Sequence, residues 1–291
     1  GRHELTDAEW ALLAPLMPAD PPRGGRWADH RRVINAILFR IRTGIPWRDL
    51  PERYGPWETA AGRHRRWSTD GTWHRIAERL RIDAHTGQEL EAGIDSSSIR
   101  AHHHAAGAAK RGRRCGRNRT DEALGRSRGG LNTKIHLLAD TRRRPLAITT
   151  SPGQRGDTHM VAPLLASLRL PRSRGRARTR PHRVMGDKAY SSAAIRAYLR
   201  HRGITATIAQ PDDQRENRRR RGSAGGRPPA FDPEAYRRRN TVERCFNLLK
   251  QNRAVATRYD KRATIYEGTI QLASIRIWLR DLTNTSSKNT A

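Results

Sequence analysis

The spacing of apolar residues changes once along the chain, near Glu91, and this change limits the possible folds more than any other feature. Before it, apolar residues recur with the period of a helix. One such stripe consists of Val33, Ile34, Ile37, Leu38 and Ile41. After it, short stretches such as 131–138 alternate in the way that a strand does. We therefore predict an all-α module over residues 1–85 and an α/β domain over residues 86–291.

Capping signals divide the N-terminal module into short helices. Thr6 and Glu9 form a capping box at the start of the first helix. A second helix begins near Asp29, and Gly44 stands where its C-terminal glycine is expected. A short helix near residues 47–53 follows.

The last helix predicted for this module covers residues 57–68 and is basic. Short helices joined by tight turns, the last of them basic, are typical of a helix-turn-helix unit that binds DNA. The residues of this helix expected to bind DNA are Arg63, Arg65 and Arg66. The alternative is a plain helical bundle with an exposed basic face.

The order of elements after residue 86 predicts the architecture of the second part. Three strands (93–99, 131–138 and 145–150) are followed by a helix (157–168), a strand (184–187), a helix (191–201), a strand (204–209) and two helices (233–252 and 264–282). A basic, Gly- and Pro-rich loop is expected at about 211–230. This is the order of an RNase H-like domain, a mixed sheet flanked by helices.

The charge of the chain predicts its partner. Lys and Arg number 58 against 28 Asp and Glu, a formal net charge of +30. Such a chain needs a polyanion nearby, and arginine grips phosphate in a bidentate fork, so we expect nucleic acid. The alternative is an Arg-rich genome with a solvated surface. There is no apolar run of about 20 residues and no CxxC pair, so we expect no membrane span, no zinc knuckle and a cytoplasmic location.

Acidic residues are scarce, and two of them belong to predicted strands. Asp95 lies inside the first strand, and Asp187 ends the fourth. A strand-end aspartate more often caps a turn than takes part in catalysis, and that alternative stays open on position alone.

A third acidic residue, Glu243, shares one helix face with a phenol, a guanidinium and an ammonium group. Tyr236, Arg239 and Lys250 stand at offsets of −7, −4 and +7 from it. At about 100° per residue, all three lie within about 40° of the direction of Glu243. A solvated, salt-bridged face is the alternative, but it does not explain a Tyr and a Lys aligned two turns away on either side.

These three carboxylates suit phosphoryl transfer. That chemistry uses two divalent ions about 3.5–4 Å apart, held by a few carboxylate oxygens. Magnesium prefers such hard oxygen ligands. We therefore expect Asp95, Asp187 and Glu243 to hold two Mg²⁺ ions, with Mn²⁺ able to substitute.

The same residues resemble bacterial insertion-sequence transposases of the DDE class, in the group that spans families four and five. Tyr236-x2-Arg239-x3-Glu243-x6-Lys250 is similar to the Y-R-E-K motif of that group. Further stretches that resemble the group are 5–10, 44–51, 93–96, 125–134, 186–190 and 239–244. The resemblance covers nearly the whole chain.

The resemblance implies a DNA transposase. It would cut phosphodiester bonds at inverted-repeat ends and transfer the freed 3′-hydroxyls into target DNA, and so excise or insert an insertion sequence. Asp95, Asp187 and Glu243 would be the catalytic metal ligands, with Tyr236, Arg239 and Lys250 beside them. Two lysines within the matching stretches, Lys134 and Lys188, are expected to contact DNA. Double-stranded DNA is the expected partner, and synapsis of two ends implies at least a homodimer. A DNA-binding regulator without chemistry and another RNase H-like nuclease, such as a junction resolvase, are the alternatives.

Weaker signals receive structural interpretations. We expect His102, His103 and His104 to form a basic loop, because adjacent histidines on an extended chain point to opposite sides and seldom share one ion. Asp157 is expected to cap a helix. The remaining expectations are that Asp140 lies in a hairpin turn, that Cys245 is a core thiol, and that most of Trp27, Trp47, Trp57, Trp67 and Trp73 are core residues.

Overall fold

The computed structural model of the protein describes residues 3–20, 22, 25–82, 87, 89–107 and 122–289, with the side chains of 286–289 excepted. Cys115 and the predicted boundary between residues 85 and 86 lie outside these ranges. Four helices form the N-terminal part: α1 (Asp7–Leu13), α2 (His30–Thr43), α3 (Trp57–Thr69) and α4 (Thr72–Leu80). Within the described ranges, no helix is long and apolar enough to cross a membrane.

The predicted caps of the N-terminal helices are present. The Thr6 hydroxyl accepts a hydrogen bond from the Glu9 N–H (3.2 Å), and the Glu9 carboxylate accepts one from the Thr6 N–H (2.8 Å). The Asp29 carboxylate caps α2 through the Arg32 N–H, and Gly44 ends that helix with a φ of +73°. Glycine adopts this left-handed conformation without steric cost. The prediction of an all-α N-terminal module is confirmed.

The prediction that the basic helix is the last one of this module is wrong. Helix α4 follows α3 after a turn at Asp70 and Gly71. Its buried residues Trp73, Ile76, Ala77 and Leu80 have the i, i+3, i+4, i+7 spacing of an amphipathic helix. The signal for this helix is therefore present in the sequence.

In the described part of the chain, seven strands form one mixed sheet: β1 (Glu91–Ala101), β2 (Gly125–Ser127), β3 (Gly130–Asp140), β4 (Pro145–Pro152), β5 (Arg183–Gly186), β6 (Thr205–Ile208) and β7 (Thr257–Arg258). Strand β3 pairs antiparallel with both β1 and β4, whereas β5 pairs parallel with β1 and β6. The central order is β4–β3–β1–β5–β6. The predicted RNase H-like arrangement is confirmed.

The remaining helices lie between and after these strands. They are α5 (His103–Ala106), α6 (Val161–Ala166), α7 (Ala193–His201), α8 (Asp212–Arg220), α9 (Pro233–Arg237), α10 (Asn240–Lys250), α11 (Arg253–Ala256) and α12 (Ala263–Asn289). The single helix predicted over 233–252 is therefore divided into α9 and α10. The backbone of Arg238 and Arg239, which lie between them, keeps helical angles, so the chain direction changes little.

Two local predictions for this part are wrong. The expected basic loop contains α8, in which Asp212 and Asp213 occupy the first turn and three arginines the last, as the helix dipole favours. Asp157 does not cap a helix, because Gly156 is the N-cap of the 3-10 turn Asp157–Met160. Instead, the Asp157 carboxylate pairs with the Lys134 ammonium at 2.8 Å.

Helix α12 joins the N-terminal helices to the sheet, and the buried residues of both parts form one hydrophobic core. A buried polar chain crosses this junction. The Trp73 indole N–H donates to Nδ1 of His64, and Nε2 of His64 lies 3.1 Å from the Thr269 hydroxyl, which donates to Asp260. Burial lowers the pKa of His64 to about 4, so the ring is neutral near pH 7. Asp260 also pairs with the buried Arg40.

The contact between α3 and α12 depends on a glycine. A Cβ atom on Gly268 would lie 2.6 Å from the Cβ of Ser68, closer than real atoms approach. We expect Gly268→Ala to destabilise the fold by about 1–3 kcal/mol, because overpacking outweighs the gain of roughly 1 kcal/mol in helix propensity. Gly62→Ala in α3 is the matched control, since nothing lies within 4 Å of the position that the added methyl group would take. Urea unfolding should show this control neutral or stabilised; a Gly268→Ala protein as stable as Gly62→Ala would contradict the packing argument.

Candidate active site

Asp95 and Asp187 lie side by side on neighbouring parallel strands. Gly93 of β1 pairs with Met185 of β5, and two further residues along each strand lead to Asp95 and Asp187. Asp187 directly follows the end of β5, and Asp95 lies in the middle of β1. The parallel register between β1 and β5 therefore brings the two carboxylates together.

Helix α10 carries Glu243 to the same face of the sheet. Side chains alternate along a strand, so Gly93 and Asp95 share one face. A Cβ atom on Gly93 would lie 3.0 Å from the Cβ of Val242 and 3.4 Å from the Arg239 carbonyl oxygen. The missing side chain of Gly93 thus lets α10 rest directly on β1, with Glu243 next to the contact.

Backbone and side-chain hydrogen bonds orient each carboxylate. Oδ1 of Asp95 accepts the Ser96 N–H (2.8 Å), and Oδ1 of Asp187 accepts the Ala189 N–H (2.9 Å). Oε1 of Glu243 pairs with the guanidinium of Arg239 at 2.7 Å. Each acid is half-buried, so each can still reach a ligand from solvent.

The three acids influence one another electrostatically. The pKa of Asp95 is raised to about 6, mainly by burial and also by the negative charges of Asp187 and Glu243, while the hydrogen bond from the Ser96 N–H and the charge of Arg239 lower it. Burial also raises the pKa of the Tyr190 hydroxyl, with Asp95 and Asp187 among the contributing charges. The site therefore concentrates negative charge in a protein that is positive overall.

The donor set fits divalent cations of the magnesium type, because all three side chains offer oxygen. The acids are spaced more widely than the three histidines, which form the only His/Cys/Asp/Glu trio in the described ranges whose ligand atoms all lie within 4.8 Å. Glu243 is paired with Arg239 on the same helix. Two ions about 3.5–4 Å apart, each about 2 Å from its oxygens, span ligands up to roughly 8 Å apart.

Of the four residues aligned on this helix face, Tyr236, Arg239 and Glu243 lie together, whereas Lys250 lies apart from them. The guanidinium carbon of Arg239 lies 5.6 Å from the centre of the Tyr236 ring, and the same guanidinium pairs with Glu243. Lys250 is exposed at the far end of α10, where its ammonium lies 6.0 Å from the Phe246 ring. No ion pair joins Lys250 to any of the three carboxylates within the part of the chain that the structure describes.

Glu91 was not predicted to matter, yet it fixes this cluster to the sheet. Its carboxylate accepts two hydrogen bonds from Arg238, at 2.8 and 3.0 Å, and pairs with Arg183 of β5 at 3.1 Å. Arg238 precedes Arg239, so the first strand holds the junction between α9 and α10. A basic residue beside the motif was the only sequence signal for this contact.

The residues predicted to bind DNA differ in exposure. Arg65, Arg66 and Lys188 are exposed. Arg63 is buried: its guanidinium stacks on Trp27 at 4.0 Å and bonds to His30. Lys134 is mostly buried, because it pairs with Asp157 and donates to the Arg155 carbonyl oxygen. Arg63 and Lys134 therefore have partners within the protein and do not support a direct contact with DNA.

The histidines at 102–104 do not behave as predicted. Helix α5 bends the chain so that ligand atoms of the three rings lie within 4.8 Å of one another instead of on opposite sides.

Of the other local predictions, Asp140 accepts hydrogen bonds in the β3–β4 turn, and Cys245 is a buried thiol whose pKa is raised by burial. Both are confirmed. Trp67 and Trp73 are core residues, Trp47 and Trp57 pack against the core, and Trp27 lies outside it.

Replacing Asp95 tests the electrostatics of this site. Its folded pKa of about 6 exceeds the ordinary value of 3.8, so ionising Asp95 opposes folding: the cost is absent below about pH 4 and complete above about pH 6. We expect Asp95→Asn to stabilise the metal-free protein at pH 7.5 by about 1–2 kcal/mol after screening by solvent, with no gain at pH 4.

Thermal unfolding at both pH values, with and without a divalent cation, measures this effect. The cation should raise the Tm of the original protein but not that of Asp95→Asn, because a bound ion stabilises only the fold that binds it. Asp213→Asn, an exposed change on α8, serves as the control. An equal effect of Asp95→Asn at both pH values would contradict the assignment.

Comparison with known proteins places this geometry in a family. Residues 88–278 match the model "Transposase DDE domain", and residues 5–77 match "Putative transposase of IS4/5 family". The "Putative transposase for insertion sequence element IS6501" of Brucella ovis is 30% identical over 150 residues, which are 52% of this chain and 100% of that protein. The "Insertion element IS402 uncharacterized 16.2 kDa protein" of Burkholderia cepacia is 36% identical over 107 residues, 33% of this chain and 73% of that protein.

The match over residues 88–278 covers the sheet, the two aspartates and Glu243, and the match over residues 5–77 covers the N-terminal helices. Members of the family are enzymes that act on DNA and use divalent metal ions. The chain belongs to the DDE transposase family.

Proposed function

We propose that this transposase uses Asp95, Asp187 and Glu243 to cut phosphodiester bonds at the inverted-repeat ends of an insertion sequence, and then to join the freed 3′-ends to target DNA. The observation that carries the proposal is the adjacency of Asp95 and Asp187 on parallel strands, with Glu243 held above them by the contact at Gly93. The charges of Asp187 and Glu243 both act on Asp95.

The three carboxylates are the ligands that we propose for two Mg²⁺ ions, for which Mn²⁺ would substitute. When bound, such ions activate the attacking oxygen and stabilise the leaving oxygen. The hydrogen bonds from the Ser96 and Ala189 N–H groups hold one oxygen of each aspartate, which leaves the other oriented for a cation. The raised pKa of Asp95 implies that cation binding weakens as the pH falls through about 6.

The basic residues of the Y-R-E-K stretch have separate proposed roles. Arg239 holds Glu243 and lies where a phosphate beside the carboxylates would accept its N–H groups, with Tyr236 at its side. Lys250 stands seven residues after Glu243, about 10 Å further along the helix axis. We infer that its ammonium group contacts a neighbouring phosphate of the same DNA and takes no part in the chemistry.

The proposed DNA interface includes the exposed side chains of Arg65, Arg66 and Lys188. Arg63 supports this interface from within, because its guanidinium and that of Arg66 both stack on Trp27. Synapsis of two element ends needs two copies of the catalytic site, so we propose a homodimer on DNA. A location at the nucleoid in the cytoplasm follows from this partner.

Conservative removal of each acid tests the proposed chemistry. We expect Asp95→Asn, Asp187→Asn and Glu243→Gln each to lower Mg²⁺-dependent cleavage by at least about a thousandfold, because a lost ligand removes the metal pair. DNA affinity should change little. The substrate is a duplex that carries the inverted repeats flanking the gene, and the readouts are cleavage, strand transfer and binding at one salt concentration.

Glu216→Gln, an exposed change on α8, is the control and should cut normally. Loss of DNA binding in parallel with cleavage would count against a metal-ligand role. Cleavage without strand transfer would favour a nuclease of the resolvase kind, and binding without cleavage would favour a regulator.

The two arginine environments on α3 give a separate prediction. Arg65→Ala/Arg66→Ala should weaken DNA binding and lower the slope of log affinity against log salt by about 2, because each phosphate contact contributes about one unit. Arg63→Ala should instead lower the Tm, since the stacking on Trp27 and the bond to His30 are lost. Filter binding over a salt series and thermal unfolding separate the two; a large salt effect for Arg63→Ala alone would reverse these assignments.

A further inference from the structure

A cavity of about 350 Å³ lies where the β3–β4 turn meets α12 and the ends of α2 and α10. Its apolar floor includes Leu38, Leu248 and Ile277. Its other walls are unusually rich in one residue type. The arginines that line it are Arg42, Arg142, Arg143, Arg144, Arg276 and Arg280. Among the described residues that line it, Asp281 is the single acidic one.

The acids that pair with these arginines do not balance their charge. Asp281 pairs with Arg142 and Arg144, at 2.9 and 3.0 Å. Asp140 pairs with Arg144, and Glu9 pairs with Arg276 at 3.1 Å and with Arg280 at 3.9 Å. Six guanidinium groups thus face three carboxylates, an excess of three positive charges around one small cavity. Such a site attracts an anion.

Arg276 supplies a donor that the protein does not use. Its Nη2 donates to the Glu4 carbonyl oxygen at 2.7 Å, and its Nε lies 3.1 Å from Glu9. Its Nη1 is buried and has no hydrogen-bond partner within the described part of the chain. A buried donor without a partner is costly.

The β3–β4 turn presents its arginines from a rigid frame. Asp140 accepts the N–H groups of Arg142 (3.0 Å) and Arg144 (2.8 Å). Arg143, between them, has a φ of +65°, in the left-handed region where glycine is favoured. An exposed arginine at this position retains a positive charge at the tip of the turn, at the cost of a strained backbone.

The cavity lies on the same side of the sheet as the carboxylates. Helix α10 begins beside Glu243 and leads to Gln251, which lines the cavity, about 12 Å further along the helix axis. Duplex DNA carries one negative charge per about 1.7 Å of its axis. A duplex with one phosphate at the carboxylates therefore has others within reach of the cavity.

We propose that this cavity is a second phosphate site, which holds a backbone phosphate of the DNA whose scissile bond lies at Asp95, Asp187 and Glu243. The inference rests on the proposed function for its partner. The spread of arginines around the opening favours a polyanion, and the apolar floor suits a deoxyribose. The site would contribute to DNA affinity at a place distant from both α3 and the reacting phosphate.

The test removes the two cavity arginines that are exposed and least engaged with carboxylates, in Arg143→Ala/Arg280→Ala. The matched control is Arg169→Ala/Arg200→Ala, which removes two exposed arginines outside the cavity lining. Binding of element-end duplex is measured over a salt series. We expect the cavity variant to lose about tenfold in affinity and about 2 units of salt slope, and the control to lose less than half of either. Equal losses would overturn the proposal.

Hydrogen exchange of the turn distinguishes DNA from a small anion. Amides of residues 137–146 should be protected by the duplex but not by millimolar inorganic phosphate alone. Protection by inorganic phosphate, or none by DNA, would overturn the assignment. If the original protein cuts element ends and the cavity variant keeps its full salt slope, this inference fails but the proposed function stands. If Asp95→Asn still cuts DNA, the proposed function fails, whatever the result for the cavity variant.

Discussion

The contact between Val242 and Gly93 is the constraint on which the rest of the site depends. A Cβ atom at Gly93 would lie only 3.0 Å from the Cβ of Val242, so even alanine would require α10 or Val242 to shift by a few tenths of an ångström, and a larger side chain would require more. The aspartates need no such device, because the register of β1 with β5 already aligns them. Backbone hydrogen bonding thus positions two acids, and close helix packing positions the third. The bidentate pair between Glu91 and Arg238 then fixes the start of the same helix.

A chain with an excess of thirty positive charges must fold before its polyanion arrives, and the structure shows how. Several guanidinium groups are buried and bound by partners inside the protein, so they repel the other positive charges less. Arg258 is fully buried and donates to carbonyl oxygens of Glu122, Asp260 and Lys261. Arg144 pairs with Asp140 and stacks on Trp278. Burying paired charges is less costly than burying them alone. What remains exposed is then available for DNA.

Much of the fold could be predicted from the sequence because it is encoded locally. Caps at Thr6, Asp29 and Gly44, alternation in the strands and the order of elements all depend on neighbours in the chain. Asp95, Asp187 and Glu243 were chosen from two strand positions, the spacing around Glu243 and the family resemblance, and their catalytic role stays a prediction. What could not be predicted depends on partners distant in sequence. The sequence does not show that Arg63 and Lys134 are shielded from solvent, because their partners Trp27 and Asp157 reach them only in the folded protein. The role of Gly93 required knowledge of which helix lies above it. The clustering of the histidines at 102–104 was not predicted, because it depends on the short helix α5.

Helix α12 packs against α3 and α4 of the N-terminal part and against α10 and β4 of the second part. Gly268 and the buried chain from His64 to Asp260 close that junction. The distance between the basic face of α3 and the three acids is therefore built into a single body. On the proposed function, this rigid junction would fix the number of base pairs between the DNA bound by α3 and the bond that is cut, and a change of sequence preference on α3 would leave that number unchanged.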